Sequence, residues 1–386
     1  MKNKIAYIGC ISLIGVISTE FGVIGILPQI ADYYSITIDK AGILLSAFAM
    51  VAALAGPFLT IFTSGINRKK LMMMSMMIFM ITGIVSSLSP PFWLLLLVRL
   101  LPAFLHPALV SAAVGAATAS ADKKDAHQMM AIVIGGVGIA TITAVPFATF
   151  IAGMFNSWQA SFMVQTLISI IAVSSIVIGL PSMPVEEKKS YGTQLKILTK
   201  PLFIASATFT FLMNGTMFTT YSYFADYLRK IIGMDPKKIS LMLLIFGITG
   251  VFGNFLAGKM LSKNITLTTA GFLTGLTVIS IPLYVLDATS PWVILVIAVW
   301  GLFHTPCFLT GQAYMIETAP EAPEFANSIS ISFGNLGISL GTAISGFSIA
   351  HYGLHSAPWV MLSFGSLALV NMAVKEMMEK QSHQCI

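Results

Sequence analysis

The sequence predicts an all-α integral membrane protein with twelve transmembrane helices in two pseudo-symmetric halves of six. Three observations carry this expectation. Only 9% of the 386 residues are charged and 56% are hydrophobic, against roughly 25% charged in an average soluble chain, so the chain cannot cover a water-facing surface. Twelve mostly apolar stretches reach the length of about 20 residues that a helix needs to cross a bilayer. Short motifs also recur, in the same order, about half a chain apart.

The first stretch, about 5–27, exceeds the roughly 7–15-residue apolar core of a secretory leader, and no small-residue cleavage pattern follows it. It is therefore read as a span. The next five run about 40–62, 71–89, 92–118, 128–153 and 158–181. The longest connection follows, through Glu186, Glu187, Lys188, Lys189, Lys196 and Lys200. Six further stretches, about 201–225, 238–260, 265–286, 291–315, 325–350 and 356–376, complete the set. The expected organisation is an N-terminal bundle over 1–183, a cytoplasmic linker over 184–200 and a C-terminal bundle over 201–386.

The repeat supports that division. ADYYSITIDKAGILL after the first span resembles ADYLRKIIGMDPKKISLMLL after the seventh, pairing Asp32 with Asp226 at an offset of 194. FLHPALV in the fourth parallels LFHTPCFL in the tenth, pairing His106 with His304 at 198. GGVGIA in the fifth echoes GNLGIS in the eleventh, pairing Gly138 with Gly337 at 199. Two such repeats, related by an axis along the membrane normal, place a substrate site near the midplane between the halves.

Lys and Arg set the orientation, because cytoplasmic loops retain them. With the N-terminus inside, 15 of the 21 fall on cytoplasmic segments, among them Arg68, Lys69, Lys70, Lys123 and Lys124. Both termini are then cytoplasmic. Arg229, Lys230, Lys237 and Lys238 go against the trend and are partly offset by Asp226 and Asp235. The net charge of +6 serves membrane orientation, not nucleic acid.

Two charges lie well inside the spans, Glu20 and Arg99. Each costs on the order of 2.5–3.5 kcal/mol at a helix centre, so each needs a partner or a purpose. Counted along their helices, both sit roughly 10 Å below the outer end, which lets them pair. His106 follows Arg99 by seven residues and shares its face. Glu20, Arg99 and His106 read together as a proton relay, in which burial favours neutral Glu20 and the guanidinium favours the carboxylate. The plainer reading is a static ion pair with His106 on a backbone carbonyl.

Polar and aromatic residues elsewhere fit a substrate cavity. Asn214, Phe218 and Tyr221 follow i, i+4, i+7 spacing on the seventh span. Trp300 and His304, with Phe303, lie on the tenth, and Asn335 lies on the eleventh. Singly these are packing residues; as a set they suit an amphipathic organic solute that stacks and forms hydrogen bonds. Glycines cluster in the fifth, eighth and eleventh spans, where they let helices approach closely. Of the 23 methionines, Met72, Met73, Met74, Met76 and Met77 crowd the third span, as lipid-facing filler or as an adaptable wall.

Other chemistry is missing from the sequence. There is no phosphate-binding glycine loop to use ATP, and the six histidines form no metal-binding spacing. Cys10, Cys307 and Cys385 lie too far apart for a motif. No cofactor, no metal and no enzymatic activity are expected.

These same residues carry a family resemblance over essentially the whole chain. STEFGVIGILPQIADYYSITIDKAGILLSAFAM resembles the opening of major facilitator superfamily exporters of the arabinose-efflux-like, drug:proton antiporter group. VRLLPAFLHPAL resembles the group's R-x-x-x-G signature, with Arg99 at the arginine but Ala103 and Pro107 at the glycine positions. GGVGIATITAVPFAT is similar to the antiporter motif through Gly136 and Pro146, with Ala144 and Ala148 replacing glycines. SWQASF keeps Trp158 of a G-W-R-x-x-F step and has Gln159 for its arginine. NRKK keeps the basic residues of the gating loop, Arg68 first, without its aspartate.

The resemblance implies the major facilitator fold and proton-driven antiport by alternating access. It also implies an acidic proton carrier in the first helix, and Gly136, Pro146 and Arg68 as conformational elements. Substrates in the group include sugars, purine nucleosides and bases, and drugs. The expected protein exports a small organic solute across a bacterial inner membrane in exchange for protons. A proton symporter for nutrient uptake is the alternative. Its partners are the solute, protons and membrane lipid, with no nucleic acid, and it is expected to act as a monomer.

Overall fold

The computed structural model describes residues 2–63, 65–121, 126–184, 196–287, 290–319 and 323–384, and every regular element among them is helical. Lys123, Lys124, Glu186, Glu187, Lys188, Lys189 and Cys385 lie outside the described residues. Twelve helices are long and apolar enough to cross a membrane, from Asn3–Tyr34 to Leu354–Gln381, and each expected span has its counterpart among them. Helix is the form these stretches must take, because hydrocarbon offers no partner for a free backbone N–H or C=O.

Large apolar side chains face outward: Phe58, Phe62, Trp93, Ile178, Phe252 and Phe255 are all exposed. The interior holds the polar residues, including Ser12, Thr19, Ser75, Gln165, Thr210, Thr269 and Thr342. A soluble protein shows the reverse. Most of these buried hydroxyls fold back onto their own helix, as Ser12 does to the Ile8 carbonyl at 2.9 Å and Thr210 to that of Ser206 at 3.0 Å, which satisfies them without a second element. The methionine run splits between the two roles offered for it. Met72 and Met76 are buried, whereas Met74 and Met77 face outward.

The chain divides into two compact units. The first comprises Met1–Ile36, Ile43–Lys188 and Met234–Leu244; the second comprises Thr37–Gly42, Lys189–Gly233 and Ile245–Ile386.

In the first unit, the opening span is broken. It runs as helix over Lys2–Phe21 and resumes at Leu27–Tyr34. Gly22 sits at the break, where a Cβ would collide with the Ser18 carbonyl. At Gly136 of the fifth span a Cβ would lie 2.5 Å from the Cys10 carbonyl oxygen, so the first and fifth spans cross backbone to backbone. The fifth span then takes a π-helical turn over Ala140–Ala144, directly before Val145 and Pro146. Proline offers no N–H to the preceding turn, and π turns absorb that loss.

Arg68 begins the third span and donates from Nη1 to the Gly115 carbonyl of the fourth at 2.7 Å. Its own N–H reaches the Met183 carbonyl at 3.0 Å. Arg68 thus ties the ends of three spans together. Arg68→Ala should lower the thermal midpoint of the purified protein by the equivalent of about 1.5 kcal/mol, the low end for a hydrogen bond to a charged group because Arg68 is only half-buried. An unchanged midpoint would exclude this tie.

The second unit repeats these devices. Its opening span breaks between Tyr221 and Phe224, and Ser222 and Tyr223 at the break bond to Thr342 on the eleventh span. A Cβ on Gly337 would collide with the Phe211 carbonyl, and one on Gly341 would lie 2.9 Å from Gly215. Gly337 therefore does for the seventh and eleventh spans what Gly136 does for the first and fifth. Gly138, paired with Gly337 from the sequence, has nothing within 4 Å of its Cβ position. The structural counterpart lies two residues earlier, because helical contact and not the shared G-x-x-G-like string fixes the equivalence.

Three of the four basic residues that run against the orientation trend pair with acids locally. Buried Asp226 pairs with Lys230 at 3.1 Å and Arg229 at 3.9 Å, and Asp235 with Lys238 at 3.6 Å. Asp235 also caps the eighth span, accepting from the backbone N–H groups of Lys237 and Lys238 at 3.0 Å. Those donors, that of Lys238 foremost, hold its carboxyl below the usual carboxylate range.

Candidate functional site

Glu20, Arg99 and His106 converge inside the first unit, with 1%, 1% and 5% of their surfaces exposed. The break in the first span explains the gathering. Beyond Gly22, whose N–H still reaches Ser18, the helix no longer supplies donors to its last carbonyls. Arg99 reaches across from the fourth span and donates from Nη2 to the Thr19 carbonyl at 3.0 Å. A guanidinium at a helix C-terminus also meets the negative end of the helix dipole. The Phe48 and Phe162 rings flank it, each 5.6 Å from Cζ, a favourable place for a desolvated cation.

The structure changes the expected partners. The sequence pairs Glu20 with Arg99 at matching depth, but it is His106 Nδ1 that lies 3.6 Å from the Glu20 carboxylate. Arg99 donates from Nη2 to the neighbouring Thr19 carbonyl instead. The reason is the helix break, which sequence reading placed inside a continuous span. A backbone carbonyl is freed one residue from the acid, and it is the better geometric match.

One further residue completes this interior. Gln165 of the sixth span is 1% exposed and donates from Nε2 to Ser161 at 3.3 Å. A Cβ on Gly22 would lie 2.6 Å from that nitrogen, so Gln165 touches the turn that Arg99 caps. Ser161, Gln165 and Ser169 recur every four residues along the sixth span, and that buried polar stripe is the signal that could have found it. Several buried polar atoms here have no hydrogen-bond partner among the described residues: Arg99 Nε and Nη1, His106 Nδ1 and Gln165 Oε1.

In the second unit, Phe218, Tyr221, Trp300 and His304 form one ring cluster. Tyr221 and His304 centroids are 4.8 Å apart, Phe218 and His304 6.0 Å, and Trp300 and Tyr221 6.2 Å. Phe246 and Phe224, not anticipated, complete it; Phe246 stacks on Tyr221 at 5.0 Å and Phe224 meets Trp300 at 4.8 Å. These six rings are buried, and Phe308, half-buried, meets Phe218 at 6.0 Å and His304 at 6.4 Å. His304 donates from Nε2 to the Met217 carbonyl at 3.1 Å. That bond leaves Nδ1 as the acceptor, and Nδ1 and Trp300 Nε1 find no hydrogen-bond partner among the described residues.

Asn214 and Asn335 stand apart from the rings, at the crossing of the seventh and eleventh spans. Asn214 donates to the Thr210 carbonyl at 2.9 Å and Asn335 to that of Ile331 at 3.0 Å. Gly334 packs against the Asn214 amide, 3.3 Å from its nitrogen by Cβ position. Phe303 turns away, onto Phe272 at 6.0 Å. The repeat has diverged: His106 faces an acid, and His304 faces a carbonyl and rings. Among the described residues no group of His, Cys, Asp or Glu is arranged to hold a metal ion.

Known proteins share this architecture. The chain is 29% identical to the inner membrane transport protein YdhP of Escherichia coli K12 over 340 residues, covering 88% of this chain and 87% of that one. It is 28% identical to a probable sugar efflux transporter of Helicobacter pylori J99 over 353 residues, covering 91% and 90%. A crystal structure of the nucleoside transporter NupG superposes with a TM-score of 0.76 at 14% identity, covering 97% of this chain and 99% of the other. That likeness is one of fold. The family profile matches residues 9–323, and the chain is a multi-pass membrane transporter of the Major Facilitator Superfamily.

Proposed function

We propose that this transporter exports a small organic solute, of the sugar, nucleoside or drug class, in exchange for protons by alternating access, across a bacterial inner membrane with both termini in the cytoplasm. It acts as a monomer whose partners are the solute, protons and lipid. The observation that carries the reading is Glu20. It is a carboxyl almost wholly removed from solvent, 3.6 Å from His106 and beside an Arg99 committed elsewhere. A fixed ion pair would satisfy the acid fully. This arrangement instead lets Glu20 take up and release a proton while its surroundings keep a counter-charge in place.

Arg99 holds the Glu20 turn and His106 passes the proton. The second unit supplies the organic wall, with Phe218, Tyr221, Trp300 and His304 stacking and Asn214 and Asn335 forming hydrogen bonds. Gly136, Pro146 and Arg68 serve the rocking motion. The relative named for sugar efflux supports the direction, and the one named for inner-membrane transport supports the location.

Inside-out vesicles test the direction. Acidifying the lumen should drive accumulation of labelled sugar, nucleoside or dye into vesicles containing the protein. Accumulation under the opposite gradient would make it a symporter.

A further inference from the structure

We propose that the end of the eighth span holds an acidic phospholipid, with Lys259 and Lys263 on its headgroup and the outward face of Phe252 and Phe255 against its acyl chains. Lipid is a partner in the reading above; this names the lipid's class and its place, and it does not depend on which solute is carried.

The eighth span, Pro236–Leu261, turns Leu241, Ile248, Phe252 and Phe255 outward. Phe255 is 66% exposed, a placement that acyl chains favour and water does not. Lys259, in the last turn, is the first cation met along that face. A lysine at the end of a span ordinarily carries its charge outward to water. The Lys259 ammonium instead lies 4.4 Å from the centre of the Phe255 ring, one turn nearer the middle of the span. The ring offsets part of the cost of desolvating that charge but supplies no anion. Neither Lys259 nor the exposed Lys263 belongs to an ion pair among the described residues. A Cβ on Gly258, beside Lys259, would have nothing within 4 Å, so no neighbouring span covers this turn. The anion that meets a lipid-facing ammonium at this depth is a lipid phosphate. Two lysines four residues apart favour a headgroup of net negative charge over a zwitterionic one.

The first unit supplies the contrast. At the corresponding turn of its repeat, Arg68 donates to the Gly115 carbonyl at 2.7 Å and Lys69 to that of Val177 at 3.0 Å. Backbone carbonyls there take the donors that the end of the eighth span leaves to a ligand.

The test is thermal unfolding of the full-length protein in phosphatidylcholine nanodiscs that contain rising fractions of phosphatidylglycerol. The wild-type midpoint should rise with the acidic lipid and then level off. In Lys259→Gln, and separately in Lys263→Gln, the half-saturating fraction should be about fivefold higher, the equivalent of about 1 kcal/mol per lysine beside an anionic lipid. Both variants should match wild type in pure phosphatidylcholine, and Lys259→Arg should titrate as wild type does. Lys237→Gln, which removes an exposed lysine at the opposite end of the same span, should leave the titration unchanged. A midpoint indifferent to phosphatidylglycerol overturns the proposal, as does an equal shift in Lys237→Gln. A lowered midpoint in pure phosphatidylcholine with an unchanged half-saturating fraction makes Lys259 a structural residue and overturns it too. Stabilisation by dissolved glycerol 1-phosphate without acidic lipid makes the ligand a free phosphate and overturns the assignment to lipid. Solute accumulation in vesicles is a separate reading: its absence strikes the transport proposal and leaves this binding standing.

Discussion

Glu20→Gln leaves the protein folded and able to equilibrate solute, but abolishes accumulation driven by a pH gradient. The amide has nearly the shape of the protonated acid and can fill the same space beside His106, 3.6 Å from its Nδ1. It cannot give up a proton. Wild type exchanging one proton per solute can concentrate solute up to about tenfold per pH unit, each unit being worth about 1.4 kcal/mol. In Glu20→Gln that ratio should fall to one at every gradient, whereas exchange of internal for external labelled solute persists. The fold survives because Arg99 holds the Thr19 carbonyl, not the Glu20 carboxylate. Had the two charges formed the direct pair expected from the sequence, removing one would have stranded the other and cost several kcal/mol. Flow dialysis or filter assays on proteoliposomes measure both quantities, and gradient-driven accumulation by Glu20→Gln would refute the assignment.

The second large effect concerns glycine. Gly136→Ala and Gly337→Ala should each be severely impaired in folding, while Gly138→Ala, two residues from Gly136, should be close to neutral. The Gly136 Cβ position is 2.5 Å from the Cys10 carbonyl oxygen, the Gly337 position is closer still to that of Phe211, and the Gly138 position is open. A backbone oxygen cannot swing aside as a side chain does, so the helices must separate. Overpacking of this kind costs about 1–3 kcal/mol and occasionally more. The drop in thermal midpoint and in the monodisperse fraction on size exclusion would report it. Equal behaviour of Gly136→Ala and Gly138→Ala would mean that the crossing of the first and fifth spans is not set by this contact.

The number of spans and their repeat were legible because hydrocarbon imposes one rule on every stretch: about 20 apolar residues, with charges kept to the ends. The interior was legible where a residue type is costly. Glu20, Arg99 and His106 stand out in apolar spans, and the structure does gather them. Their partners were not legible. The break after Phe21 lies inside a continuous apolar run, and it is this break that frees the Thr19 carbonyl and redirects Arg99. Gln165 escaped notice because an uncharged amide costs little enough to pass as packing, although its four-residue spacing from Ser161 and Ser169 marked a buried polar stripe. The ring cluster was half visible: Phe218 and Tyr221 follow from helical spacing and Trp300 and His304 from their residue types in the tenth span, but Phe246 enters from another span and only contact reveals it.

The most direct test of Glu20 as the carrier of the coupled proton is to count protons on binding. Purified protein in weakly buffered detergent solution with a pH indicator is mixed with a saturating solute identified in the vesicle assay. The account predicts release of about one proton per protein in wild type and none in Glu20→Gln, with solute bound in both. Equal release from the two proteins, or binding by wild type with no release near neutral pH, would contradict it.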